Sequence, residues 1–101
     1  MAMDLVILNS TTHIQCGDAS YDAYEDYEVH WVHLDTGRIV TREGTYECVD
    51  GCDRYHESTK FVPISVARQF IREWLSIHPD AERDEDPDEG IISYHSFYSN
   101  D

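Results

Sequence analysis

Val62-Pro-Ile-Ser-Val-Ala-Arg-Gln-Phe-Ile-Arg-Glu-Trp-Leu-Ser-Ile-His78 is the stretch in which a helical period runs long enough to fix an element. Ile64, Ala67, Phe70, Ile71, Trp74 and Leu75 recur at the three-and-four spacing of a helix and gather into one apolar stripe. Ser65, Arg68, Gln69, Arg72, Glu73 and Ser76 fall on the other side. Pro63 suits a first helical turn, where its missing N–H has no partner to lose, and Pro79 ends the pattern because the residue before a proline avoids helical dihedrals. The spacing predicts a helix over residues 63–77. Its stripe has to lie on something, and the flanking runs suggest a sheet.

Before the helix, residues 4–8 carry Val and Ile at their centre and read as a short buried strand, and Asn9-Ser-Thr-Thr12 has turn composition. Residues 29–34, the turn Asp35-Thr-Gly-Arg38 and residues 39–41 read as a hairpin, with Gly37 where a tight turn needs it. His30, Val32 and Leu34 are expected on one face and Val29, Trp31 and His33 on the other, so this strand belongs inside a sheet. Residues 44–49 continue or follow the second strand, Asp50-Gly51 is a turn, and residues 54–61 lead into the helix. After the helix, residues 79–90 hold seven carboxylates against one arginine with two prolines, and read as an acidic loop. Residues 91–98 then place Ile92 and Tyr94 on one face and Ile91 and Phe97 on the other, as a last strand that rejoins the sheet. The expected architecture is a single α+β domain over residues 1–101: an antiparallel sheet with one amphipathic helix packed across one face.

At 101 residues, folding buries roughly 65% of the unfolded surface, enough for one modest core. Apolar residues make up 41% and aromatic ones 12%, so the heavy charge does not imply disorder. Seven basic residues stand against 21 acidic ones, a formal net charge of -14, which opposes attraction to nucleic acid or anionic lipid. A basic protein partner is the expectation, with no direct nucleic-acid binding, no membrane association and a monomer or small homo-oligomer. The amino-terminal run lacks a basic region and is too short for a secretory signal or a span, so a cytoplasmic location is expected. Cys16, Cys48 and Cys52 are an odd set that cannot all pair within one chain, which fits a reducing compartment.

Cys48, Cys52 and His56, with His13 and Cys16 upstream, are zinc-ligand types at loose spacing, and the expectation is unpaired cysteines with no metal and no cofactor. The acidic surroundings of the cysteines oppose thiolate formation and blunt them as nucleophiles. Phosphate-cradling glycine loops, nucleophile elbows and paired zinc histidines do not occur in the sequence, so no enzyme activity is expected. What rises above this background is Asp18-Ala-Ser-Tyr-Asp-Ala-Tyr-Glu-Asp-Tyr-Glu28, where carboxylates alternate with tyrosines. Tyrosine brings contact area with a polar tip and carboxylates steer association with a basic patch, so such a surface can imitate nucleic acid. The candidate partner-binding residues are Asp18, Tyr21, Asp22, Tyr24, Glu25, Asp26 and Tyr27, joined by Asp84, Glu85 and Asp86 of the acidic loop. The plainer alternative makes the tyrosines supports beneath a solvated loop. Tyr21, Tyr24 and Tyr27 would align on a helical turn and scatter on a strand, and spacing alone leaves both open.

The segment Phe61-Val-Pro-Ile-Ser-Val-Ala-Arg-Gln-Phe-Ile-Arg-Glu-Trp-Leu75 resembles the signature of small bacterial immunity proteins of polymorphic toxin systems, in particular the immunity family that accompanies deaminase-type toxins. Members look like an antiparallel sheet followed by Val-Pro, an amphipathic helix with an aromatic near its end and a final short strand. Val62, Pro63 and Trp74 fill those places here. The resemblance implies a non-catalytic inhibitor that binds and blocks the active-site cleft of a cognate toxin domain inside the producing cell. The alternative of the same size and acidity is a phage-encoded nucleic-acid mimic such as an anti-CRISPR inhibitor.

Overall fold

The computed structural model describes residues 3–14, 23–47 and 51–100. Four ten-residue strands come first: β1 (Leu5–Ile14), β2 (Tyr24–His33), β3 (Arg38–Glu47) and β4 (Cys52–Phe61). They are followed by α1 (Ile64–Ile77), the short β5 (Glu82–Asp86) and β6 (Ile91–Asn100). All six strands form one sheet in the order β4-β3-β2-β1-β6-β5. The α+β expectation therefore stands, with a correction: the sheet is mixed, because β1 pairs in parallel with β6 while every other pair is antiparallel. The physical reason is the route of the chain. It leaves the sheet at the β4 edge, passes through α1 and returns at the opposite edge, so the closing hairpin docks against the first strand rather than the fourth.

The helix matches its predicted stripe at Ala67, Phe70, Ile71, Trp74 and Leu75. Ala67 and Trp74 are buried, and Phe70, Ile71 and Leu75 pack half-buried around Val6, Leu8, Val32 and Ile39 of the sheet. Burying each of the fully enclosed side chains Leu8, Val32 and Ile39 is worth about 1.5–3 kcal/mol. Pro63 stands at the N-cap rather than in the first turn, with an extended φ of -56 and ψ of 148. At the other end His78 closes the helix: its main-chain N–H donates to the Trp74 carbonyl at 3.1 Å, its Nδ1 lies 2.9 Å from the same oxygen, and its ring stacks on Trp74 with centroids 4.1 Å apart.

Two tight points set the sheet. Gly37 ends the β2–β3 turn at φ 79, and a Cβ there would lie 2.0 Å from the Val62 carbonyl oxygen, so only glycine fits where the helix connection crosses the turn. Gly90 at φ 69 offers its carbonyl to the N–H groups of Asp4 and Leu5 at 3.1 and 3.2 Å, which fixes the start of β6 beside β1.

The ladder register sorts side chains into two faces. Val6, Leu8, His30, Val32, Ile39, Ile92 and Tyr94 share the helix side, and Ile7, Val29, Trp31, Val40, Ile91 and Phe97 the open side, as the alternation of residues 29–34 and 91–98 predicts. Three other expectations are corrected. Residues 9–12, read as a turn, continue β1; residues 54–61, read as a lead into the helix, are most of β4; and residues 82–86 of the acidic loop form β5. In each case the strand is polar because no layer covers it, so it lacks the apolar alternation by which a half-buried strand is recognised. Tyr24 and Tyr27 lie on an extended strand and point to opposite faces; Tyr21 lies outside the described residues.

Candidate functional site

A strand of ten residues spans about 33 Å and a helix of fourteen about 21 Å. The helix covers the end of the sheet near Val6 and Val32, and leaves the other end bare on the helix side. There the register lines up Ser10 and Thr12 of β1, Asp26 and Glu28 of β2, Glu43 and Thr45 of β3 and His56 of β4. These residues line an open depression of about 490 Å³, floored between them by Gly44 and Tyr27. The Thr45 hydroxyl donates to the Asp26 carboxylate at 2.8 Å. Glu28 and Glu43 face each other across the β2–β3 ladder with Glu28 half exposed, so two like charges stand side by side at the surface.

Glu28 also lines a second recess of about 420 Å³ beneath the helix, together with His30, Phe70, Glu73, Trp74, Ser76 and Ile77. His30 is buried there at 6% exposure. Its Nε2 lies 2.7 Å from the Glu28 carboxylate, its Nδ1 2.8 Å from the Thr41 hydroxyl, and the edge of its ring meets Phe70 at 4.9 Å. Burial lowers the imidazole below the ordinary histidine range, and the neighbouring Glu28 charge and hydrogen bond oppose that only in part. Neutral His30 fits both contacts, with Nε2–H donating to Glu28 and Nδ1 accepting from Thr41. Apolar Phe70 and Ile77 beside the carboxylates give this end a mixed character, able to take a cationic group and an adjoining apolar one.

The open side of the sheet carries a different cluster. Arg42 makes a forked contact with Glu57, Nη2 at 2.7 Å and Nε at 3.0 Å from Oε2, while its guanidinium stacks on Tyr55 at 4.2 Å and approaches Trp31 at 5.6 Å. Tyr27 crosses Gly44, where a Cβ would lie 2.7 Å from the phenol oxygen, and donates to Asp53 at 2.6 Å. Partial burial and then that hydrogen bond to a carboxylate push its phenol up to about 12.

The candidate residues are thus dispersed. Asp26 lies in the depression; Glu25 and Tyr27 turn to the open side, Glu25 beside His13 at 3.5 Å. Tyr24 is half-buried at the end of β2. Asp84, Glu85 and Asp86 lie on β5, three strands from β2, with Glu85 ion-paired to Arg83. Asp18, Tyr21 and Asp22 lie outside the described residues. Glu28, Glu43, Thr45 and His56, which sequence reading did not place in the site, are brought to Asp26 by cross-strand register, and the alternation of Asp26 with Glu28 is the one local signal of it. Cys52 is a free thiol, and among the described residues no three potential metal ligands converge; Cys16 and Cys48 lie outside them. No helix among the described residues is long and apolar enough to cross a membrane.

Fold and site together define a class: an acidic α+β protein in which one helix straps half of a mixed six-stranded sheet, with a carboxylate-lined depression beyond the strap. Comparison with family models, with curated proteins and with solved structures finds no match.

Proposed function

We propose that the chain is a non-catalytic inhibitor that places the carboxylates around its depression against the basic substrate-binding cleft of a protein partner, in the manner of an immunity protein against its cognate toxin domain. The observation that carries this reading is the gathering of Asp26, Glu28 and Glu43 in one concave surface of a chain with a formal charge of -14. Carboxylates so placed steer a cationic partner and offer acceptors for arginine or lysine, and the apolar recess next to them suits the stem of such a side chain. The buried imidazole of His30 is engaged on both nitrogens, which favours binding over proton transfer.

The test compares the tagged protein with an Asp26→Asn, Glu28→Gln, Glu43→Gln variant in capture from the producing cell, followed by kinetics with the purified partner. Glutamine at position 28 retains an oxygen for His30. The wild type is expected to retain a basic protein and inhibit it at equal stoichiometry, with association slowing as the screening length falls to about 10 Å near 0.1 M salt. The triple variant is expected to associate at least about tenfold more slowly. Capture of no basic partner, or an unchanged association rate in the variant, overturns the reading.

A further inference from the structure

The two edges of the sheet are treated in opposite ways. β5 is five residues long and carries Glu82, Asp84, Glu85 and Asp86 against Arg83, a short and charge-loaded edge of the kind that repels a further strand. β4 is twice that length, has no proline, and balances Asp53 and Glu57 with Arg54 and Lys60, so a chain of formal charge -14 presents an edge on which acidic and basic side chains are equal in number. Every residue from Asp53 to Phe61 is exposed.

The direction of the free main-chain groups follows from two contacts. A Cβ on Gly44 would meet the Arg54 carbonyl oxygen at 2.7 Å, and the Val62 N–H donates to the Gly37 carbonyl at 3.0 Å. The even-numbered residues of β4 therefore bond to β3, and Asp53, Tyr55, Glu57 and Thr59 turn their N–H and C=O groups outward. Such a row is a template for another strand.

We propose that this edge pairs with the same edge of a second copy, antiparallel about a two-fold axis at His56, to make one continuous sheet. A symmetric antiparallel pair requires facing residues of the same parity, which leaves registers centred on single residues. Centring on Tyr55 sets Asp53 against Glu57, and centring on Glu57 sets that carboxylate against itself. Centring on His56 sets Tyr55 against Glu57 and Asp53 against Thr59, with Arg54 facing Ser58 and Lys60 facing Cys52, so no carboxylate meets a carboxylate and no arginine or lysine meets another. Glu57 is already neutralised by Arg42, which suits it to face a tyrosine. Each outward residue then exchanges two main-chain hydrogen bonds with its opposite number.

The test is the mass of the purified chain in the absence of any partner, measured by light scattering from micromolar to submillimolar concentration. A mass of twice 11.7 kDa is expected. Thr59→Pro removes an outward N–H and no bond to β3, so it is expected to give a folded monomer by circular dichroism. As a second readout, His56→Cys in a chain whose Cys16, Cys48 and Cys52 are serine is expected to form a disulfide-linked dimer on mild oxidation, whereas Tyr55→Cys in the same background is not. A wild-type monomer across the whole concentration range, a Thr59→Pro dimer, or cross-linking through position 55 instead of 56 overturns the proposal. Loss of partner binding leaves this result unaffected, so it stands or falls separately from the inhibitor reading.

Discussion

His30 shows how one side chain ties the bare end of the sheet to the covered one. Its neutral ring is held between Glu28 and Thr41 with Phe70 above it, so a proton arriving on the buried nitrogen displaces the Thr41 contact. Burial lowers its folded-state value, while the unfolded chain takes up the proton near the ordinary 6.5. Below that pH the unfolded state binds more protons than the folded one, and stability falls as pH falls. Thermal midpoints measured between pH 7 and pH 5 are expected to decline less steeply for His30→Gln than for the wild type; equal slopes would remove His30 as a source of acid sensitivity. None of this was legible from the sequence beyond the expectation that His30 shares a strand face with Val32 and Leu34. The partners Thr41 and Phe70 come from another strand and from the helix, and only the assembled sheet brings them together.

At the scale of elements, the helix was legible because its stripe repeats at the period of the surface it covers, and the β2–β3 hairpin because Asp35-Thr-Gly37 marks a turn whose glycine takes a positive φ. β4 and β5 were not, since an edge strand with two bare faces has no buried side to write an alternation into the sequence. The second half of β1 was hidden for the same reason: the helix stops short of Ser10 and Thr12, and a polar strand there reads as a turn. The structure also reorders the importance of the stripe. Trp74 is 5% exposed and Phe70 only half-buried, so Trp74→Ala is expected to cost about 3–5 kcal/mol and Phe70→Ala roughly half of that. Chemical denaturation of both variants checks the order; a larger loss at Phe70 would mean that the His30 contact outweighs burial beneath the helix.

Across the whole molecule, charge and topology act on different scales. The two associations proposed above respond to salt with opposite sign, because screening weakens attraction to a cationic partner and relieves the repulsion between two copies that each carry -14. The carboxylate cluster was half legible: residues 18–28 and 80–89 are visibly acidic, but which of their charges share a face depends on register, and register placed Asp84 far from Asp26. The parallel pairing of β1 with β6 was not legible at all, since it joins strands from distant parts of the chain. It nevertheless sets how the fold bears load. Leu5 lies beside Ile91 and Ile14 beside Asn100, so tension applied between residues 4 and 100 slides two adjacent strands lengthwise past each other and loads the ladder between them all at once. Tension between residues 4 and 34 instead pulls at Leu5 and His33, neighbours at one end of an antiparallel pair, and opens that ladder one bond at a time. Single-molecule pulling is expected to need a clearly higher force in the first geometry than in the second, which would make this small protein a mechanical clamp along one direction and a zipper along the other.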